Sequence, residues 1–276
     1  MKMVKKVMLG MVALAAVLTL ASCGKKDDPE GVIKGGGNNI WYIDYANEGT
    51  DTYRAYKETS QKHAGVIAKI RFDTSNTQVD NYSKMGLIFN LFEKNGKKNF
   101  FIIGISPDGH WYVSEYRNVT DIRAKNFGVA DADVKTSSAA ATVTDTSKPY
   151  EFVWEELTQF ESGSADTNKF TMPAADSEGY KNVYIWFQAD NGSFQWKIST
   201  NLTEAQINSY SSNTGAWPTG ASYVESGLID DAAWTTNTTT PKQGDVALYA
   251  QIQKSSTLKG KWKIEKFYKE AEDIEE

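Results

Sequence analysis

The sequence predicts an all-β fold: two antiparallel sheets stacked face to face, with at most one or two short helices. Three observations carry that expectation. From Ile40 onward, short apolar and aromatic runs recur, each closed by turn residues such as Asn95-Gly96 or Pro107-Asp108-Gly109. Within the runs, apolar and polar side chains alternate with a period of two, which gives each strand one face to bury. Many short strands of this kind argue for a sandwich over a parallel α/β sheet, which needs long helical crossovers.

The amino terminus precedes this pattern. Lys2, Lys5 and Lys6 lead into an uncharged apolar run from Val7 to Leu20, and small residues follow at Ala21-Ser22-Cys23. That is the three-part layout of an export signal, and the apolar run is too short to span a bilayer comfortably. Leu20-Ala21-Ser22-Cys23 resembles the lipobox of bacterial lipoproteins. The resemblance implies a signal peptide over 1–22 and an acylated Cys23 as first mature residue, held in a lipid bilayer. Gly24 after the cysteine is similar to lipoproteins passed on to the outer membrane. The bland alternative is an ordinary secretory signal with a chance cysteine. Cys23 is the only cysteine, so no disulfide is expected.

Residues 23–39 read as the lipidated cysteine and a flexible tether, because GKKDDPEGVIKGGGNN combines charge, proline and a glycine triplet. A chain of about sixteen such residues would hold a domain on the order of 20 to 24 Å from its anchor. The sandwich is expected over 40–268, and the acidic KEAEDIEE at 269–276 reads as a solvated tail. Removing 1–22 takes away three lysines and no acid, moving the formal charge from -5 to -8. No run of basic residues suggests a patch, so nucleic acid is not an expected partner.

In chain order, strands are expected at 52–58 and 64–73, then as a three-strand meander over 85–116 with turns at Asn95-Gly96 and Pro107-Asp108-Gly109. Further strands are expected at 150–157 and 169–172, and a hairpin at 182–199 turns at Asp190-Asn191-Gly192. The closing pair lies at 245–254 and 257–267, where Leu258, Gly260, Trp262 and Ile264 alternate with Lys259, Lys261, Lys263 and Glu265. Two long segments break the rhythm. Residues 118–149 are polar and of low complexity, which favours disorder, whereas 200–242 carries tryptophans, which favour order. One short helix is expected in the second, capped by Asn201 or Thr203 before Leu202, Ala205, Ile207 and Tyr210.

GLIFNLFEKNGKKNFFIIGISPDGHWYVSEY, with GDVALYAQIQKSSTLKGKWKIEKFY at the end of the chain, resembles the strands of concanavalin A-like lectin and glucanase sandwiches. The resemblance implies a jelly roll whose concave sheet holds carbohydrate or another extended ligand. The glucanases of that superfamily carry a Glu-x-Asp-x-x-Glu strand motif, and this chain departs from it. Strands 85–92 and 183–188 contain no carboxylate. Glu151 and Glu155 share a face in simple alternation, but they stand about 13 Å apart, too far for the usual glycosidase pairs. Glu272, Asp273 and Glu275 match only as letters in the tail. Gly-x-Ser-x-Gly is absent, and only His63 and His110 could serve as histidine bases. No enzyme activity is therefore expected, and no cofactor.

Hard oxygen ligands gather at Asp73-Asn76-Asp80, Asp131-Asp133 and Asp176-Glu178, without the calcium-loop spacing. The same residues make side-chain turn bonds, so no metal site is assigned. The binding reading rests on aromatics. Trp262, Phe187, Phe89, Phe101 and Trp154 fall at core positions, but Tyr184 and Trp186 alternate with Val183, Ile185 and Phe187, and so lie on the opposite side of their strand. The candidate ligand-binding residues are Trp111, Tyr184, Trp186, Trp217 and Trp234, with Gln188 and Asn90 as hydrogen-bonding partners and Arg117 or Lys197 for an acidic group. The alternative is that 200–242 folds over these aromatics and makes a second small core. The expected partner is a glycan, or else an envelope or host protein; a degraded glycosidase is the third reading.

Overall fold

The computed structural model describes residues 32–49, 52–63, 65–76, 83–122, 125–130, 133–136, 148–155, 169–190, 193–210, 215–230 and 244–268. Cys23, the leader, Trp234 and the acidic tail lie outside the described residues. The first seven strands are β1 (Lys34–Gly37), β2 (Ile40–Ala46), β3 (Tyr53–His63), β4 (Gly65–Asp73), β5 (Lys84–Lys94), β6 (Lys97–Ile105) and β7 (Trp111–Val119). They are followed by β8 (Val134–Thr136), β9 (Tyr150–Glu155), β10 (Tyr180–Asp190), β11 (Ser193–Ser199), β12 (Glu225–Asp230), β13 (Gly244–Ile252) and β14 (Thr257–Tyr268). A 3-10 turn at Lys125–Gly128 and one helix, α1 (Glu204–Ser209), complete the described elements.

The strands form two sheets of seven, ordered β1-β2-β14-β4-β10-β11-β12 and β3-β13-β5-β6-β7-β9-β8. All pairings are antiparallel except β8 with β9. Period-two alternation decides what each sheet buries. Val66, Ile70, Val183, Phe187, Trp196 and Trp262 of the first sheet pack against Leu87, Phe89, Phe101, Ile103, Val113 and Leu248 of the second. Phe89 stacks on Phe187 across the gap with ring centroids 4.4 Å apart. Trp262 Nε1 donates to the Gly86 carbonyl at 3.0 Å and so joins the two sheets by a hydrogen bond.

The expected meander is β5, β6 and β7. It turns at Asn95 and Gly96, both at positive φ as a tight hairpin demands, and then at Gly109. The hairpin at 182–199 is β10 and β11, with Tyr184 opposite Ser199. Thr203 caps α1 in a capping box with Gln206.

Five details differ from the sequence reading. Paired structure begins before Ile40, inside the expected tether: Lys34–Gly37 pairs with β2 and Ile33 is buried in the core. A Gly-rich strand has no side-chain pattern and is specified by its neighbour's backbone alone. The segment 200–242 contains β12 on the sheet edge, where Leu228 is 56% exposed, so the strand buries too little to show alternation. At 169–172 there is no strand, only a single bridge between Lys169 and His110. The last two strands, adjacent in sequence, belong to opposite sheets. Within 118–149, Ile122, Phe127 and Val129 are buried against the outer face of the second sheet, and the remainder of that segment lies largely outside the described residues.

Candidate ligand-binding site

Alternation does turn Tyr184 and Trp186 away from the inter-sheet core, but they do not form an open face. Trp186 is 1% exposed. It is buried with Ile67, Tyr184, Leu202, Ile207 and Tyr210, and Trp217 and Ala221 pack on the same cluster. Trp186 Nε1 donates to the Gly215 carbonyl at 2.9 Å, and Trp217 Nε1 to the Ala221 carbonyl at 2.9 Å. The segment that follows β11 has folded over these rings as a second small core. The physical reason is that a large aromatic face costs free energy in water and a neighbouring loop with apolar residues is at hand to cover it.

The other expected residues are dispersed. Trp111 faces the inter-sheet core, where its ring lies 5.0 Å from that of Trp196. Asn90 belongs to the other sheet, buried at a bulge of β5 with φ of 49°. Gln188 is half-buried opposite Gln195, and Arg117 is paired with Glu115. Lys197 lies over the Tyr223 ring, 4.6 Å from its centroid. His110 is buried, with Nδ1 2.7 Å from Asp108 Oδ2, and Ser106 Oγ also donates to Asp108. Burial works to raise the Asp108 carboxyl, and the bonds from Ser106 and His110 outweigh it and hold the group below its usual range.

Asp73, Asn76 and Asp176 are consumed by turns and strand contacts, and Asp80 and Asp131 lie outside the described residues. Asp73 Oδ1 accepts from Ser75 N, and Asn76 bonds the backbone of Lys259 in both directions. Asp176 accepts from Asn182 at 2.8 Å, from Tyr180 N at 3.0 Å and from Arg71 at 2.6 Å, and these bonds hold its carboxyl far below the usual range. Among the described residues, no group of three His, Cys, Asp or Glu could hold a metal ion.

What the covered rings leave open is a cleft beside them, about 530 Å³ in volume, on the outer face of the first sheet. Its walls come from three places. The β1–β2 turn supplies Asn38 and Asn39, both in the left-handed region, and the Asn39 carbonyl is anchored by Ile264 N at 3.0 Å. The helix α1 supplies Glu204, Ile207 and Asn208, and the floor is Lys69, Tyr184 and Lys263 to Lys266. A bulge between Ile264 and Lys266 breaks alternation at this point, so the strand turns extra polar side chains toward the cleft. Sequence alternation located Tyr184; it could not locate Asn38, Asn39 or Lys69, which pairing brings from distant parts of the chain.

The floor is cationic. Lys69 lies 5.5 Å from the Tyr184 ring centroid, and burial, reinforced by Arg71 and Lys263, pushes its ammonium below the usual lysine range. Lys263 is paired with Glu265 at 2.6 Å. Tyr42, 39% exposed, stands one row further along the same face, opposite Lys261.

The second sheet carries a different polar group on its outer face. Ser114 donates to Glu151 at 2.9 Å, and the buried Lys84 ammonium lies 5.2 Å from the Tyr112 ring. Burial raises the Glu151 carboxyl, and bonds from Tyr116 and Ser114 with the charges of Arg54 and Lys84 partly offset it. Glu155 pairs opposite Val113 and Glu151 opposite Tyr116, with a register shift between, so simple alternation does not relate the two acids.

No protein-family model matches the chain, and no curated protein does. Among solved structures, it is similar to a functionally unknown protein from Saccharomyces cerevisiae at 11% identity and a TM-score of 0.34, covering 86% of this chain and 90% of that one. It is also similar to the CBM2 module of the evolved Dit of Lactobacillus casei BL23 phage J-1, at 9% identity and a TM-score of 0.28, over 83% of this chain and 70% of that one. A fructofuranosidase from Schwanniomyces occidentalis complexed with fructosylnystose gives 9% identity and a TM-score of 0.30, with 81% of this chain and 33% of that chain covered, so this chain spans about a third of it.

Proposed function

We propose that the chain is an exported, lipid-anchored binding module of the cell envelope, whose β-sandwich holds a glycan without cleaving it. The observation that carries the binding part is the open cleft on the first sheet. Asn38, Asn39 and Asn208 offer amide donors and acceptors, Glu204 and Glu265 accept, and lysines donate. Such a mixture suits a ligand covered in hydroxyls, each able to give and take a hydrogen bond. The anchoring part is supported by Leu20-Ala21-Ser22-Cys23 after a basic and then apolar leader. Recognition is favoured over hydrolysis because the buried acid Glu151 belongs to the second sheet and does not line the cleft, while Glu265 in the cleft is taken by Lys263 at 2.6 Å.

A glycan array probed with the purified protein tests the binding part. Selective retention of some glycans, lost in Asn39→Ala combined with Asn208→Ala while circular dichroism is unchanged, is the expected result. An array without signal would overturn it. Labelled palmitate should enter the protein and fail to enter Cys23→Ser; equal labelling of both would overturn the anchor.

Protein contact is a second reading with its own observation. The edge strand β12 presents Leu228, and Tyr223 and Val224 beside it are also exposed, which suits strand addition by a partner.

A further inference from the structure

We propose that the cleft and the strands beside it hold an anionic saccharide, one bearing carboxylates or sulfates; the inference rests on the glycan reading and narrows its ligand class. Strand pairing sets cation against cation on the outer face of the first sheet. Lys261 lies directly opposite Arg71, and Lys263 directly opposite Lys69. Like charges in directly opposed positions destabilise a sheet, and here they recur in two successive rows. The setting makes the arrangement more pointed, because acids outnumber bases 35 to 30 in this chain and opposite-charge pairing was available.

Local carboxylates neutralise one cation of each row and leave the other. Arg71 is taken by Asp176 and Glu178, and Lys263 by Glu265. Lys69, Lys261 and Lys266 form no ion pair among the described residues. Lys69 and Lys261 instead rest over the rings of Tyr184 and Tyr180, at 5.5 and 4.4 Å, which orients the ammonium groups without discharging them. Lys69 and Lys266 then line the same cleft as the asparagine amides. A ligand that brings negative charge to Lys69 and Lys261 and hydroxyls to Asn38, Asn39 and Asn208 satisfies both features at once. The concave wall between the β1–β2 turn and α1 suits a chain better than a flat bilayer. The exposed apolar residues Val224 and Leu228, which a membrane would engage, lie at the far edge of the sheet.

Calorimetric titration of the purified protein with polygalacturonate, dextran sulfate, neutral dextran, phosphatidylglycerol vesicles and single-stranded DNA tests this. Expected are binding to polygalacturonate or dextran sulfate but not to dextran, weakening as salt is raised, and a loss of about tenfold in affinity in Lys69→Gln combined with Lys261→Gln. The melting temperature of that variant should not fall, since opposed cations have been removed. Binding of dextran equal to that of polygalacturonate, unchanged in the variant, overturns this inference and leaves the glycan reading standing. Binding of no saccharide, on the array or in titration, overturns both. Binding of vesicles or DNA alone overturns the saccharide in favour of that surface.

Discussion

Single side chains here are fixed by what they satisfy, and Asp176 shows it most directly. Asn182, Tyr180 N and Arg71 converge on one carboxylate, which clamps the approach to β10 onto Arg71 of β4. Because its folded pKa is depressed, this group's stabilisation is fully present above the unfolded carboxyl value of about 4 and is lost as pH falls through the folded value. Asp176→Asn should therefore lower stability at neutral pH and flatten the acid limb below about pH 4, measured by urea denaturation across pH. Asp108 has the same sign. Glu151, raised by burial, has the opposite one, contributing stability at low pH that is lost as pH rises through its folded value. None of these partnerships is legible in the sequence, where Asp176 and Glu178 looked like possible metal ligands. Oxygen-rich turns and ion sites use the same letters, and only the arrival of Arg71 from a hundred residues away separates them.

At the scale of elements, alternation was a dependable guide to which side of a strand a residue occupies and a poor guide to whether that side is open. It put Val183, Ile185 and Phe187 inward, where they are, and Tyr184 and Trp186 outward, where the segment carrying α1 and Trp217 buries them. Trp186→Ala should destabilise the protein by about 3 to 5 kcal/mol, by removing a large buried ring and its bond to the Gly215 carbonyl. Limited proteolysis should then cut first within 200–224, with the hairpin itself protected. A variant with native protease resistance would contradict the covering role. Elements that bury one strong face were visible from their residues, as the meander and the capped helix were. β1 and β12 were not, because one is a lysine followed by three glycines and the other lies at an edge where Ser226 and Leu228 are exposed.

For the whole molecule, the decisive contact is between sheets. Trp262 fills the core from the first sheet and reaches the Gly86 carbonyl of the second. Trp262→Phe should keep the ring yet lose the bond and leave a void, lowering stability by about 2 to 4 kcal/mol in chemical denaturation. The sequence by itself determined the all-β class, the two-faced strands, the hairpin turns and the core aromatics, because a period of two and the positive φ of tight turns are local properties written into neighbouring residues. Tertiary structure alone decided which strands adjoin, and with that the cover over Trp186, the cleft beside it and the cations of 69–71 set against those of 261–263. Register is a relation between segments nearly two hundred residues apart, settled by burial of the whole core, and no local pattern contains it.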